Sequence, residues 1–342
     1  ELVENLVKVI LTFILIYLGY SLFGAAVAYL ISIMLTFILI FYFTQKKVFP
    51  ILGKKIKTQL ITKELFVFSL PLLFAGLFTL IIKWSDVLII GYFREASDVG
   101  IYNATLATAN LLTLVPTALM AIFLPIITTL YSKNNKKEIS NITMRTSKWI
   151  FFLNLPVAFF ILLFPKSILQ VMFGKEYVLG SSVLLILVIG YVIHAMSHVS
   201  SSMLVMLKRT KTIFLVGSIT AFFSIVLNLF LIPKYGIIGG AIGTSFAFIL
   251  NYSTYTILAY KLTKINNISI KYIKFIVAIL LTSLIILFVN QLINLSNLLI
   301  KLVILVIIFL PIYFGLCLLI KCFDTEDKLL FLDFKNKFFK KL

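Results

Sequence analysis

Lys83 and Asp86 stand three residues apart inside an otherwise apolar run that extends from Leu65 to Phe93. A charge at the centre of a bilayer costs about 2.5–3.5 kcal/mol on insertion scales, so charges kept there usually face a cavity or a pathway. The i, i+3 spacing puts both groups on one helical face, where they can partly neutralise each other. Arg94 closes the same run at its far end, at the level of the interface, where orientation or headgroup contact is the plain reading. Asn110 lies in the next apolar run, joined to the first by a short polar turn. Lys83, Asp86, Arg94 and Asn110 are therefore the candidate residues of a substrate or ion path, and no catalytic residue or metal ligand is nominated.

Other polar groups point to packing rather than chemistry. His194 and His198 are spaced i, i+4, which can serve a metal, but no carboxylate or third ligand lies near them in sequence, and an interhelical hydrogen bond is the reading taken. Asn103, Asn154, Asn228 and Asn251 either join helices or line a wet cavity, as polar groups within spans do. Cys317 and Cys322 make no CxxC, no zinc spacing and no disulfide framework, and read as packing residues. There is no GxxxxGK[ST] and no dinucleotide fingerprint. No cofactor is expected, and any driving energy has to come from an ion or substrate gradient.

The elements that carry these residues follow from composition. Apolar residues make up 61% of 342, and charged residues 13%, against roughly 45–50% and 25% in soluble domains. The chain reads as an all-α polytopic membrane protein. Ten candidate spans run approximately over 3–18, 21–43, 65–92, 99–131, 147–165, 178–207, 212–232, 236–260, 272–293 and 298–321. Pro71, Pro116, Pro125, Pro156 and Pro311 fall within spans and predict kinks or tilt. The net charge of +19 does not indicate nucleic acid, because the lysines sit between the apolar runs. Connections after every second span, together with the tail, hold 24 of the 31 Lys and Arg residues, and the opposite side holds five. This alternation places the start of the first span and the C-terminus in the cytoplasm. The outer connections are too short to fold as a catalytic domain.

A repeat is visible at an offset of 215 residues: Tyr20, Gly24 and Ala26 correspond to Tyr235, Gly239 and Ala241. Small residues at such a span entrance permit close helix contact. The repeat implies that spans three to eight form a six-helix unit. Spans one and two then match only the end of an earlier unit, and four preceding helices, about 120–150 residues, are expected to be missing. Two parallel halves suggest a transporter with a cleft between them.

The stretch from Ser85 to Tyr131, with Asp86, Gly91-Tyr92-Phe93, Val99-Gly100-Ile101-Tyr102 and later Pro125, resembles the polysaccharide flippases of the multidrug/oligosaccharidyl-lipid/polysaccharide exporter superfamily. The segment KYGIIGGAIGTSFAF from Lys234 is similar to that family's twelfth helix, and FGAAVAYLISI from Phe23 to its sixth. The resemblance implies a two-lobe exporter whose first lobe is incomplete. Residues 1–43 would be the last two helices of that lobe, 44–64 a cytoplasmic linker, 65–262 the second six-helix lobe, 263–322 an extra helix pair and 323–342 a basic amphipathic cytoplasmic tail.

The activity that the resemblance implies is the flipping of a lipid-linked oligosaccharide, joined through phosphate or pyrophosphate, from inner to outer leaflet for cell-surface polysaccharide biosynthesis. The resemblance assigns this to the cell membrane, by alternating access of a cationic cavity. Lys83 would hold the phosphate as a point charge, and Asp86 would balance Lys83 or take up H+ or Na+. Membrane lipids, and the glycosyltransferases and polymerase of the same pathway, are the implied partners. A drug/cation antiporter of the same superfamily is the alternative. A membrane-embedded polysaccharide-biosynthesis enzyme is disfavoured by the short outer loops, and a scaffold stands behind it.

Overall fold

The computed structural model describes residues 2–48, 62–265, 272–293 and 295–323. Most of the expected linker (49–61) and tail (324–342) therefore lie outside the described residues. The described backbone is helical, and the chain divides into two units, 1–62 and 63–342.

The first unit is a hairpin of α1 (Leu2–Tyr17) and α2 (Ser21–Phe43), with a π-helical turn at Thr44–Val48. The reversal uses Gly19 at φ +90°, which L-residues with a Cβ adopt at a cost. The amide of Gly19 donates to the carbonyl of Ile16 at 2.9 Å and that of Tyr20 to Leu15 at 3.0 Å, the paired bonds that close a helix end through a left-handed residue.

The second unit begins with α3 (Thr62–Phe93), α4 (Ala96–Asn110), α5 (Leu114–Ser132), α6 (Lys136–Leu163) and the short α7 (Pro165–Phe173). It continues with α8 (Ser181–Met206), α9 (Thr210–Tyr235), α10 (Ile237–Thr263), α11 (Tyr272–Leu292) and α12 (Leu298–Leu319). Among the described residues, eight helical segments are long and apolar enough to cross a membrane. Helix α1 has 16 residues, and α3 contributes the apolar stretches Leu65–Phe74 and Trp84–Phe93, so the total is about ten. The fourth expected span is interrupted: a 3-10 turn at Leu111–Thr113 separates α4 from α5. Pro116 explains the position, since it has no amide to donate to the carbonyl of Leu112 four residues back.

Helix α10 is the centre of the second unit because its sequence, GGAIGTSFAF, is small on several faces. Gly239 faces α9: a Cβ there would lie 2.3 Å from the carbonyl oxygen of Leu231. Gly240 faces Ile90 of α3 and the ring of Tyr102 of α4, and Ser245 lies against Gly190 of α8. The first unit uses the same device. A Cβ on Gly24 would meet Leu15 of α1 at 2.9 Å. The buried positions of α2, Gly24, Ala28 and Ser32, correspond at the 215-residue offset to the buried Gly239, Gly243 and Ala247 of α10.

Two further clusters join the other helices of the second unit. Ile150 of α6 packs with Ala195, Met196 and Val199 of α8. An aromatic group, Phe152, Phe275, Tyr313 and Phe323, joins α6 to α11 and α12, with the Tyr313 hydroxyl donating to the carbonyl of Phe152 at 3.2 Å. Cys317 and Cys322 are free thiols buried in this cluster. The outward faces carry large apolar side chains, such as Leu88, Phe222 and Phe288, as a lipid-facing surface requires.

Candidate functional site

Asp86 is fully buried, with 0% of its surface exposed, although it sits in the last third of a long apolar helix, α3. A buried charge has to be hydrogen-bonded or paired. The structure meets that demand from three helices. The Tyr102 hydroxyl of α4 donates to Oδ2 of Asp86, the Thr244 hydroxyl of α10 donates to the same oxygen at 2.8 Å, and the Val87 amide donates to Oδ1 at 2.9 Å. Tyr102 and Thr244 are themselves buried. Among the described residues, the partners of Asp86 are thus two hydroxyls and an amide, and no cation.

The local sequence builds this arrangement. Glu95 precedes α4 in an extended conformation, so the chain reverses within a few residues and returns alongside α3. Tyr102 then faces back toward Asp86. The bare α-carbon of Gly240 lies beside the Tyr102 ring, where a Cβ would approach to 3.4 Å, and this lets α10 bring Thr244 to the carboxylate.

The other nominated residues are placed separately. The backbone of Lys83 belongs to α3, and its side chain lies outside the described residues, so the neutralising pair with Asp86 does too. Arg94 is exposed and donates through Nη2 to the carbonyl of Pro233 at 3.0 Å, at the C-terminal end of α9. Helix ends leave such carbonyls free and favour a cation. Asn110 is half-buried at the end of α4 and keeps to its own turn: Thr113 donates to its carbonyl at 2.8 Å and to Oδ1 at 3.3 Å. Among the described residues, no bond joins Asp86, Arg94 and Asn110 to one another.

The histidine pair departs from the expected interhelical hydrogen bond. Nδ1 of His194 and Nε2 of His198 are buried without a hydrogen-bond partner. His194 instead stacks on Phe248 of α10, with ring centroids 4.2 Å apart. Asn154 and Asn228 likewise have amide atoms without partners. Among the described residues no group of three His, Cys, Asp or Glu can hold a metal.

Tyr102 and Thr244 are not legible as site residues from sequence. Both fall inside the quoted motifs, Val99-Gly100-Ile101-Tyr102 and GTSFAF, but a tyrosine and a threonine in apolar runs carry no sign of which carboxylate they serve.

Residues 1–181 match a family model described as polysaccharide biosynthesis protein. An uncharacterized membrane protein of Methanocaldococcus jannaschii is 25% identical over 243 residues, 70% of this chain and 48% of that protein. The probable low-salt glycan biosynthesis flippase Agl15 of Haloferax volcanii is 28% identical over 169 residues, 49% of this chain and 36% of its own. This chain thus spans about half, or less, of the length of these relatives. Among solved structures, lipid II flippase MurJ in an inward closed conformation is similar with a TM-score of 0.67 and 20% identity, covering 92% of this chain and 65% of that one, which establishes the shared fold. Because the family model takes in more than half of its residues and the helical fold agrees, this chain belongs to the polysaccharide biosynthesis protein family, the group of polysaccharide flippases that its motifs resemble.

Proposed function

We propose that this chain is part of a transporter that flips a lipid-linked oligosaccharide from the inner to the outer leaflet of the cell membrane. The observation that carries the reading is the family match over residues 1–181, which takes in α3 with its intramembrane Lys83 and Asp86. The cargo joins a polar sugar and an anionic phosphate or pyrophosphate to a hydrocarbon tail. Moving it requires a hydrated, cationic cleft that opens to one side at a time while the tail remains in lipid. In this reading residues 1–43 close a first lobe, 65–262 form the second, and 263–322 are an additional pair. The chain is a carrier rather than an enzyme.

Lys83 is assigned the phosphate, as a point charge. Asp86 is assigned the coupling ion, and Arg94 and Asn110 flank the route. The excess of Lys and Arg in alternate connections supports a cytoplasmic C-terminus. Glycosyltransferases that build the cargo, and a polymerase that consumes it, are the fitting partners.

The test is complementation of a cell lacking its oligosaccharide flippase, with protein levels checked by immunoblot. Lys83→Ala is expected to abolish or strongly reduce surface polysaccharide at unchanged level, and Lys83→Arg to retain part of it. Full activity of Lys83→Ala removes Lys83 from the route. Failure of the parent chain to complement, together with export of cationic dyes, favours the drug/cation antiporter instead.

A further inference from the structure

The interrupted pair α4–α5 has one face whose polar groups have so far been given no partner. Asn103, Ala107, Asn110, Leu114, Thr117 and Ala121 recur at intervals of four and three, which sets them along one side, and each is exposed or half-buried. The other side holds the buried Tyr102, Ala109, Leu112 and Phe123. Asn110 and Thr117 flank the midpoint of the apolar segment Ala96–Ser132. Thr117 returns its hydroxyl to the carbonyl of Thr113 at 2.7 Å, a bond that satisfies a helical threonine in any solvent. The asparagines differ. Thr113 donates to Oδ1 of Asn110 at 3.3 Å, and among the described residues the amide hydrogens of Asn110 and the whole carboxamide of Asn103 make no hydrogen bond. Hydrocarbon does not tolerate a carboxamide in that condition, so this face has to meet water or a polar cargo.

A second feature of the backbone agrees. The 3-10 turn at Leu111–Thr113 begins directly after Asn110, so the helix is broken at the depth of the unpartnered amide. Irregular backbone within a membrane is tolerated where protein or a water-filled cavity covers it, and in transporters such breaks stand at binding sites. The face carries no charge, so it has nothing to offer a phosphate. A carboxamide presents donors and an acceptor together, the complement of the hydroxyls of a sugar ring.

We propose that this face of α4–α5 holds the sugar part of the cargo, with Asn103 and Asn110 as its hydrogen-bonding contacts. The inference rests on the proposed transport function and deepens it: the neutral glycan falls to α4–α5, apart from the anionic phosphate. Two helical turns, about 10 Å, separate the two asparagines. A glycan of several rings therefore engages both, whereas a lipid phosphate without sugar engages neither.

The experiment uses the full chain in lipid nanodiscs, with Cys317→Ala and Cys322→Ala removing the native thiols and Ala107→Cys as a reporter between the two asparagines. Its reaction with a charged, membrane-impermeant methanethiosulfonate is compared with that of Ile122→Cys, an exposed apolar position of the same segment. The Ala107→Cys thiol is expected to react several-fold faster. A polyprenyl pyrophosphate bearing a neutral oligosaccharide is expected to slow that reaction about tenfold, and the sugar-free polyprenyl pyrophosphate to leave it unchanged. Asn103→Leu with Asn110→Leu, which puts no unmet polar group in the membrane, is expected to abolish the protection, and Asn110→Gln alone to keep part of it. A reporter as slow as Ile122→Cys means a dry face and overturns the proposal. So does a reporter that the oligosaccharide lipid does not protect, or one that the sugar-free lipid protects equally. Flipping of the same oligosaccharide lipid by the parent chain is scored separately in liposomes. Protection without flipping refutes the transport reading alone, whereas flipping without protection refutes the sugar face alone.

Discussion

The α-carbon of Gly190 on α8 rests directly on Ser245 of α10: a Cβ built there would lie 2.8 Å from the Ser245 α-carbon and 2.6 Å from its Oγ. The same serine donates to the carbonyl of Ile186 at 3.0 Å. Two helices are thus joined by absence of a side chain at one point and by a hydrogen bond one turn away. Small residues are the usual means of close helix approach in lipid, where apolar burial supplies little drive. Gly190→Ala is expected to push the helices apart at a cost of about 1–3 kcal/mol, the usual range for overpacking. A clear fall in the thermal midpoint of the detergent-solubilised chain, followed by tryptophan fluorescence, checks this; an unchanged midpoint contradicts it.

The two repeat glycines should differ in severity. A methyl on Gly239 would meet the backbone carbonyl of Leu231 at 2.3 Å, whereas one on Gly24 would meet the β-carbons of Leu15 and Tyr20 at 2.9 Å. None of these atoms can rotate away, so the closer approach at Gly239 forces the larger shift of packed backbone. Gly239→Ala is expected to lower the yield of monodisperse protein far more than Gly24→Ala, as read by fluorescence-detected size-exclusion chromatography. Equal yields would mean that the two hairpins tolerate the same insertion.

Arg94→Ala separates a structural role from the proposed transport role. Its bond to the Pro233 carbonyl is at an exposed position, so Arg94→Ala should cost about 1 kcal/mol or less. Urea-induced unfolding of the two chains should nearly coincide. If flipping nevertheless drops sharply, Arg94 contacts the cargo or a headgroup; if both are unchanged, it only anchors the turn between α9 and α10.

His194 should tolerate an aromatic replacement. Its ring stacks on Phe248, and its Nδ1 makes no hydrogen bond, so His194→Phe keeps the stack and removes a buried polar atom without a partner. Such a group costs about 1–3 kcal/mol to bury, and the variant is expected to be as stable as the parent or more so by thermal unfolding. A large loss of stability would show that the imidazole nitrogens are satisfied in a way that a phenyl ring cannot replace.

Sequence alone determined the class, the approximate spans, the repeat and the family. These are written in signals that do not depend on which helices meet: hydrocarbon thickness sets the length of an apolar run, and small-residue motifs survive as strings. Even Asp86 announced itself, because a carboxylate in an apolar run is costly wherever it lies. What it is bonded to was not legible. Tyr102 is 16 residues away and Thr244 is 158 away, and neither residue type is unusual in a membrane helix. The partnership exists only because α3, α4 and α10 are packed against one another. The same limit governed the histidine pair, whose i, i+4 spacing was plain while the ring it stacks on belongs to another helix. Sequence could name the groups that hydrocarbon cannot tolerate unsatisfied; only the packing of helices decided what satisfies them.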